Sequence, residues 1–295
     1  MENILEISGL CKSYNDFALK NISFSIPKGY IMGFVGQNGS GKTTTIRSIL
    51  NMANIDSGKI SVFGLDSIND SVEIKERLGV VFDQLYFAEH LNVKQIESQI
   101  SPFYREWNSE QFSKYLKEFE LPENKSVGDF SKGMKMKFMI AVALSHNAEL
   151  IILDEPTSGL DPVARDELLD ILAEYITDEN RGVLFSTHIT ADVERIADYI
   201  TVLHNGSVWF TGEKDELAEK YAVVKGDEND IPEKIKDKLI GFHAYKNGFD
   251  ALIETDVLSC LPESIEAEKA IIDEILDLYM NSVKKQGHTA IYYLN

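Results

Sequence analysis

The chain has 295 residues, of which 44% are hydrophobic, and this length suits two domains or one large α/β domain with an appendage. Its formal net charge of -19 argues against a general DNA- or RNA-binding protein, because such binding depends largely on Lys and Arg side chains that neutralise phosphates. The sequence shows no basic leader before an apolar stretch and no apolar run near the roughly 18 residues of a membrane span, so we expect a cytosolic protein that reaches any membrane through a partner.

The first part of the chain predicts strands and then a strand, loop and helix in succession. The stretches ILEISGLCKSY and ALKNISFSIPKG alternate apolar and polar residues, which indicates short antiparallel strands. The run YIMGFVG, ending at Gly36, is typical of a buried parallel strand, and KTTTIRSILNM has the spacing of a helix. LGVVFDQ predicts another short buried strand at residues 78–84.

The pattern is helical and amphipathic between about residues 86 and 147, with breaks at Pro102 and Pro122. Strand and helix patterns then alternate through ELIILDEP, VARDELLDILAEYI and RGVLFSTH. YITVLHNGSVWFTG predicts a hairpin that turns at Asn205 and Gly206. This alternation predicts a parallel α/β core with a helical insertion.

The composition changes after about residue 213, where segments rich in Asp and Glu predict a small C-terminal domain. We expect a hairpin around FHAYKNGFDALIE and a last helix across ESIEAEKAIIDEILDLYMNSVKK, residues 263–285. That helix either supports dimerisation or regulation, or simply covers the domain.

Cys11 and Cys260 are the two cysteines, and neither belongs to a CxxC motif or a Cys/His cluster. This usage predicts a reducing compartment and gives no zinc site or disulfide framework. We expect both to be buried small side chains.

Residues 36–43, the phosphate loop, fit the pattern GxxxxGK[ST] between the predicted strand and helix. Glycines let backbone N–H groups curl around phosphate oxygens, and the helix N-terminus adds its positive dipole end. Lys42 is expected to reach the β- and γ-phosphates and the Thr43 hydroxyl to bind Mg²⁺. The alternative, an ordinary glycine turn, is disfavoured by the flanking elements. The nucleotide-binding residues predicted here are Gly36, Gln37, Asn38, Gly39, Ser40, Gly41, Lys42, Thr43 and Thr44.

Two acids stand at the end of the buried strand in LIILDEP. Asp154, at the strand end, suits the Mg²⁺ shell, and Glu155 is placed to orient or deprotonate a water that attacks the γ-phosphate. The alternative is a plain pair of acids at a helix N-terminus.

Together these motifs resemble the nucleotide-binding subunit of an ABC transporter, over about residues 4–220. The resemblance implies that Tyr14 stacks on adenine and that His188 contacts the γ-phosphate as a catalytic residue. The family signature appears as FSKGM, residues 130–134, and implies that Ser131 and Gly133 contact the γ-phosphate of ATP held by the opposite subunit. Asp161, in SGLD, is then expected to communicate between subunits.

Two positions depart from the family pattern. Lys132 stands where the signature has its first glycine, and it adds a side chain and a charge at the expected dimer face. The glutamine expected after the central strand corresponds to Asp83 or to Gln84. We assign the role to Gln84, as a catalytic and Mg²⁺-sensing residue, and keep Asp83 as the rival.

The resemblance implies an α/β P-loop NTPase (RecA-like) core with an antiparallel β subdomain and a helical insertion, plus a small α+β C-terminal domain. We expect an ATPase domain at 1–213, with its helical subdomain at about 86–147, and an accessory domain at 214–295. ATP and Mg²⁺ are the implied ligands. Two copies are expected to close head to tail on two ATP molecules, on the inner face of the cell membrane, bound to a separate transmembrane permease subunit, with no nucleic acid.

The SKGM signature and the C-terminal tail are similar to a bacterial export subgroup of bacitracin-resistance and lantibiotic-immunity type, which implies a peptide, antibiotic or lipid-like cargo. A non-transport ABC ATPase acting on ribosomes or DNA is the alternative, disfavoured by the single phosphate loop and the acidic charge. A module that closes on ATP without hydrolysis is a third possibility. The stretch LYFAEHLNV fits either a permease-docking groove or the core of the helical subdomain.

Overall fold

The structure is a computed structural model that describes residues 2–289, with side chains described up to residue 280. The chain divides into two compact units, Met1–Thr211 and Gly212–Asn295. Within the part of the chain described, no helix has the length and apolar character needed to cross a membrane.

The strands that build the first unit alternate with helices along most of the chain. The strands are β1 (Asn3–Ser13), β2 (Ala18–Pro27), β3 (Ile31–Val35), β4 (Ser57–Val62), β5 (Leu65–Asp66), β6 (Leu78–Val81), β7 (Leu150–Asp154), β8 (Gly182–Thr187), β9 (Tyr199–His204) and β10 (Ser207–Glu213). The helices are α1 (Lys42–Ile49), α2 (Ser71–Glu76), α3 (Val93–Ile100), α4 (Ser109–Glu118), α5 (Lys132–Leu144), α6 (Pro162–Tyr175) and α7 (Thr190–Ile196). The short elements β4, β5 and α2 lie in stretches where the sequence analysis predicted nothing.

The central sheet has six strands in the order β10-β9-β3-β8-β7-β6, and the strands from β9 to β6 pair in parallel. Every residue of β3, β7 and β8 is buried, which explains their continuous apolar sequences. In such a sheet the carboxyl ends of the strands share one edge, so the segments after β3, β7 and β8 meet there. The predicted α/β core is confirmed.

A second sheet, in the order β2-β1-β4-β5, is antiparallel, as predicted for its first two strands. One hydrophobic core joins residues from this sheet, from the central sheet and from α1, including Ile4, Leu10, Ile22, Phe34 and Ile46. The sheet therefore packs beside the phosphate loop.

The helical segment has an aromatic core of its own, in which Phe112 and Phe138 are fully buried. Phe87 packs on Phe138 with ring centroids 5.5 Å apart. Its neighbour Tyr86 is 62% exposed and contacts Phe82. The stretch LYFAEHLNV was expected to form either a permease-docking groove or the core of the helical subdomain. Phe87 belongs to that core, whereas Tyr86 faces outward.

The second unit combines a four-stranded sheet with helices. Its elements are α8 (Lys214–Lys220), β11 (Tyr221–Gly226), α9 (Glu233–Lys236), β12 (Ile240–Tyr245), β13 (Gly248–Glu254), β14 (Glu266–Lys269) and α10 (Ile272–Thr289). The strand order is β12-β13-β11-β14, and β12 and β13 form the predicted hairpin.

The last predicted helix was wrong in its first third. Residues 266–269 form β14, which pairs antiparallel with β11, and the helix begins at Ile272. All four side chains of β14 are exposed, so this segment has no apolar face that could pack as a helix. Its backbone N–H and C=O groups pair instead with those of β11. The buried Ile272, Ile275 and Leu276 pack α10 on its own unit, as a covering helix does.

The prediction that both cysteines are buried was also wrong. Cys260 ends an exposed turn at Thr255–Cys260, and Cys11 is half-buried in β1. Cys11 lies where the register between β1 and β4 shifts, and its sulfur accepts a hydrogen bond from the Asn21 N–H at 3.3 Å. Strand irregularity, which the sequence does not show, exposes this side chain.

Candidate functional site

The phosphate loop connects β3 to α1 at the carboxyl edge of the central sheet. At two of its glycines the surrounding atoms leave no room for a side chain. A Cβ at Gly36 would lie 2.6 Å from the Leu203 carbonyl oxygen, and one at Gly41, where φ is +114°, would lie 2.5 Å from Leu19. The loop therefore keeps its bare backbone close to whatever enters it.

A cavity of about 450 Å³ opens beside this loop. It is lined by Asp16, Phe17, Asn38, Gly39, Gly41, Lys42, Thr43, Thr44 and Glu155. The Ser40 hydroxyl is buried in the loop, and among the described residues none bonds to it. A larger cavity of about 700 Å³ lies near α2, and its walls carry five carboxylates against two arginines. This excess of negative charge disfavours phosphate, so we place the site at the loop.

Lys42 supplies the cation of the site and is only 5% exposed. Its Nζ donates to the Gly36 carbonyl oxygen at 2.7 Å and lies 3.0 Å from Glu155 Oε1. The carbonyl of the loop and the carboxylate fix the ammonium at the mouth of the loop, where it can pair with a phosphate.

Asp154 and Glu155, at the end of β7, are both hydrogen-bonded to Ser186 of β8. Ser186 donates from its hydroxyl to Asp154 at 2.6 Å and accepts from the Glu155 N–H at 3.0 Å. Glu155 has a left-handed backbone, with φ of 52°, and its Oε2 lies 2.6 Å from His188 Nδ1. Ser186 was missed by the sequence analysis, although it stands in the STH stretch that supplied His188.

The cluster thus brings together five predicted residues: Lys42, Thr43, Asp154, Glu155 and His188. Asp154 is buried, and His188 remains 43% exposed at its side chain. A fixed ammonium, a free hydroxyl at a helix start and a buried carboxylate suit a nucleoside triphosphate with a hydrated Mg²⁺ ion. These residues fit both ligands.

Other predicted residues lie away from the cavity walls. Tyr14 is 51% exposed and its ring contacts the Lys12 ammonium at 5.3 Å, whereas the aromatic ring that lines the cavity is that of Phe17, which sequence analysis did not select. Asp83 and Gln84 follow β6 and are both exposed, and neither is among the residues that line the cavity. The structure does not choose between them.

The residues expected to act across a dimer cap two helices. The Ser131 hydroxyl accepts from the Met134 N–H at 3.2 Å at the start of α5, and Asp161 accepts from two N–H groups at the start of α6. A Cβ at Gly133 would lie 3.1 Å from Ala164. Lys132 is exposed, and its ammonium lies over Gly159. None of these residues lines the cavity beside the phosphate loop of the same chain.

The parallel sheet, the phosphate loop at its carboxyl edge and the two acids at the end of β7 define a P-loop ATPase that binds ATP or ADP. Comparison with known proteins makes the class more specific. The ABC transporter family matches residues 19–158 of the chain. The ABC transporter ATP-binding protein NatA of Bacillus subtilis is 33% identical over 68% of this chain and 84% of its own length. The chain belongs to the ABC transporter family of ATP-binding proteins.

Two further relatives agree. The bacitracin transport ATP-binding protein BcrA of Bacillus licheniformis is 32% identical over 70% of this chain and 69% of its own length. A solved structure of an ATP-binding subunit of an ABC transporter is 30% identical, with a TM-score of 0.67, and covers 72% of this chain and 91% of that one. The predicted P-loop fold and the predicted ATPase function are confirmed.

Proposed function

We propose that this ATPase drives export of a peptide, antibiotic or lipid-like substrate through a separate transmembrane permease, as one of two copies that close on two ATP molecules. The observation that carries the hydrolytic part is the cluster at the carboxyl edge, where Glu155 lies 3.0 Å from Lys42 and 2.6 Å from His188. These distances support a role for Glu155 as the base, between Lys42 as the proposed phosphate-binding cation and the exposed imidazole of His188.

The phosphates of ATP are held by the backbone of the phosphate loop, by Lys42 and by the start of α1. Thr43 and Asp154 would hold Mg²⁺, and Gln84 is the proposed Mg²⁺-sensing residue. When bound, Mg²⁺ neutralises charge on the phosphate oxygens and orients them for in-line attack. Ser186 fixes the orientation of the Asp154 carboxylate through its 2.6 Å hydrogen bond.

Glu155 is the proposed general base. Its carboxylate orients a water molecule and takes its proton as the water oxygen bonds to the γ-phosphorus and the bond to the β,γ-bridging oxygen breaks, which gives ADP and phosphate. The Nδ1 atom of His188 lies 2.6 Å from Glu155 Oε2, so this imidazole would fix the direction of the carboxylate. We propose that its other ring nitrogen contacts the γ-phosphate. We propose that the adenine ring stacks on Tyr14, as the family resemblance implies, or on Phe17, whose ring lines the cavity.

The signature residues imply the second copy. Ser131 and Gly133 lie outside the cavity of their own chain, at the start of α5. We propose that they complete the ATP site of the partner copy, with Asp161 at the same interface, so that closure needs ATP and hydrolysis reopens the pair. Residues 1–213 form the ATPase domain in this proposal, and 214–295 an accessory domain.

The permease is proposed to bind the helical subdomain, at about residues 86–147, where Tyr86 is exposed. This places the chain on the inner face of the cell membrane. The proposed type of cargo comes from the likeness to BcrA, which is named for bacitracin transport.

Affinity purification of the tagged full chain from native membranes tests this function. We expect a polytopic membrane protein to co-purify in a stable ratio. Co-sedimentation with ribosomes, without any membrane subunit, would instead support a non-transport ATPase. An unrelated tagged cytosolic protein carried through the same steps is the control for nonspecific capture.

A further inference from the structure

A carboxylate that the proposed mechanism does not use lies fully buried behind the site. Asp192, on α7, has no exposed surface. Its Oδ2 accepts a hydrogen bond from the Thr157 hydroxyl at 2.6 Å, and its Oδ1 pairs with Arg165 Nε on α6. A buried carboxylate is costly unless such partners are present, so these contacts are part of the folded state.

Asp192 and its two partners each follow, by two or four positions, a residue to which the proposal gives a role. Thr157 follows Glu155 by two positions, Arg165 follows Asp161 by one helical turn, and Asp192 follows His188 by four positions. One buried network therefore ties the segment after β7 to the helices that follow Asp161 and His188.

We propose that Thr157 and Asp192 are positioning residues that set the orientation of Glu155. This inference rests on the proposed role of Glu155 as the base. Glu155 has a left-handed backbone, which a glutamate adopts only when its surroundings hold it. Its N–H is held from β8 by Ser186, and the hydrogen bond from Thr157 to Asp192 holds the chain on its other side.

The consequence concerns turnover and not ATP affinity. The phosphate loop connects β3 to α1, and Lys42 is bonded to its Gly36 carbonyl oxygen. The described partners of the Asp192 carboxylate are Thr157 and Arg165, and neither residue belongs to this loop. Loss of the Thr157 bond lets Glu155 drift from the attacking water while the phosphates stay bound. A displacement near 1 Å can cost about 100-fold in rate, and a partial release less.

Thr157→Val is the best probe, because it removes a neutral hydroxyl and leaves the Asp192 and Arg165 charges paired. In the full chain we expect kcat for phosphate release to fall about tenfold, with KM for ATP within about twofold of the wild type. Tm should fall by a few degrees, because Asp192 loses one of its two partners, so the rates are compared well below the Tm of both chains. Thr157→Ser, which restores the hydroxyl, should restore most of kcat. Asp192→Asn should reduce kcat as well, with a larger loss of stability.

The matched control is Asp170→Asn. Asp170 also bridges α6 and α7, through Arg195 at 2.8 Å, but on the exposed surface and without contact to the loop after β7. This variant should hydrolyse ATP at the wild-type rate. The inference is overturned if Thr157→Val keeps the wild-type kcat, if Thr157→Ser gives no rescue, or if Asp170→Asn loses as much. A wild-type chain without Glu155-dependent phosphate release would contradict the proposed mechanism instead.

Discussion

Glu155 is held from three directions, by Lys42, His188 and Ser186, and this arrangement specifies one carboxylate orientation. Glu155→Gln keeps the shape but removes the basic oxygen, so we expect steady-state phosphate release to fall at least about 100-fold. The affinity for ATP should persist, because Lys42 keeps its bond to the loop. Phosphate release and equilibrium nucleotide binding on the same preparation measure the two effects.

Glu174→Gln, at an exposed position on α6, is the control and should leave phosphate release unchanged. Equal release by the Glu155 variant and the wild type would remove Glu155 from the role of base. A wild-type chain that binds ATP and closes on it without releasing phosphate would support the third possibility, a module that binds ATP without hydrolysing it.

His146, at the end of α5, predicts a pH dependence of stability. It is buried, stacks on Tyr104, and faces the carbonyl oxygens of Leu78 and Val142. Burial lowers the pKa of His146 from its ordinary value of 6.5, although the two carbonyls oppose this shift. The unfolded chain therefore takes up the proton at higher pH, so the stability that His146 contributes is present above pH 6.5 and lost as the pH falls below it.

We expect the Tm of the wild type to fall between pH 7 and pH 5.5 more steeply than that of His146→Gln. Calorimetry at several pH values measures the difference. His90→Gln, at an exposed histidine, should follow the wild-type curve. Parallel curves for wild type and His146→Gln would contradict the argument.

At this scale, the sequence predicted the residues whose roles depend on local spacing. Lys42 and Thr43 follow from a motif of eight positions, and Asp154 and Glu155 from their place after a strand. Ser186, Thr157 and Asp192 could not be predicted in the same way, because their contacts join segments about 30 residues apart that only the parallel sheet brings together.

Two adjacent aromatic residues of the helical subdomain are expected to have different roles. Phe87 packs on Phe138 inside the subdomain and Tyr86 faces outward, although the two are adjacent. Phe87→Ala should lower the free energy of unfolding by about 2 kcal/mol, less than for a fully buried phenylalanine. Tyr86→Ala should leave stability within about 0.5 kcal/mol and weaken co-purification of the permease.

Thermal unfolding and the membrane pull-down, run on both variants, separate the two roles. An unchanged yield of permease with Tyr86→Ala would remove that side chain from the proposed docking surface. A destabilised Tyr86→Ala would instead place it in the core of the subdomain.

Elements with continuous apolar runs were predictable because burial on both faces leaves a strong pattern, as in β3, β7 and β8. The strand β14 was not, because its charged side chains are exposed and its position depends on the distant strand β11. The short β4, with two buried positions among six, gave too weak a pattern.

For the whole molecule, one chain offers one phosphate loop and one signature, and the residues of the signature do not line the cavity of the same chain. The central claim is therefore that two copies share each ATP. The net charge of -19 on each copy works against association of two copies, and we expect the contacts that each ATP makes with both copies to offset this repulsion.

The most direct test is the molar mass of the Glu155→Gln chain by light scattering, with and without Mg-ATP. Because this variant should bind ATP without hydrolysing it, we expect a monomer without nucleotide and a mass that doubles with Mg-ATP. Ser131→Arg, added to the same chain, should prevent the doubling while ATP still binds. A mass that stays monomeric at saturating Mg-ATP, or a doubling that Ser131→Arg does not affect, would contradict the shared site.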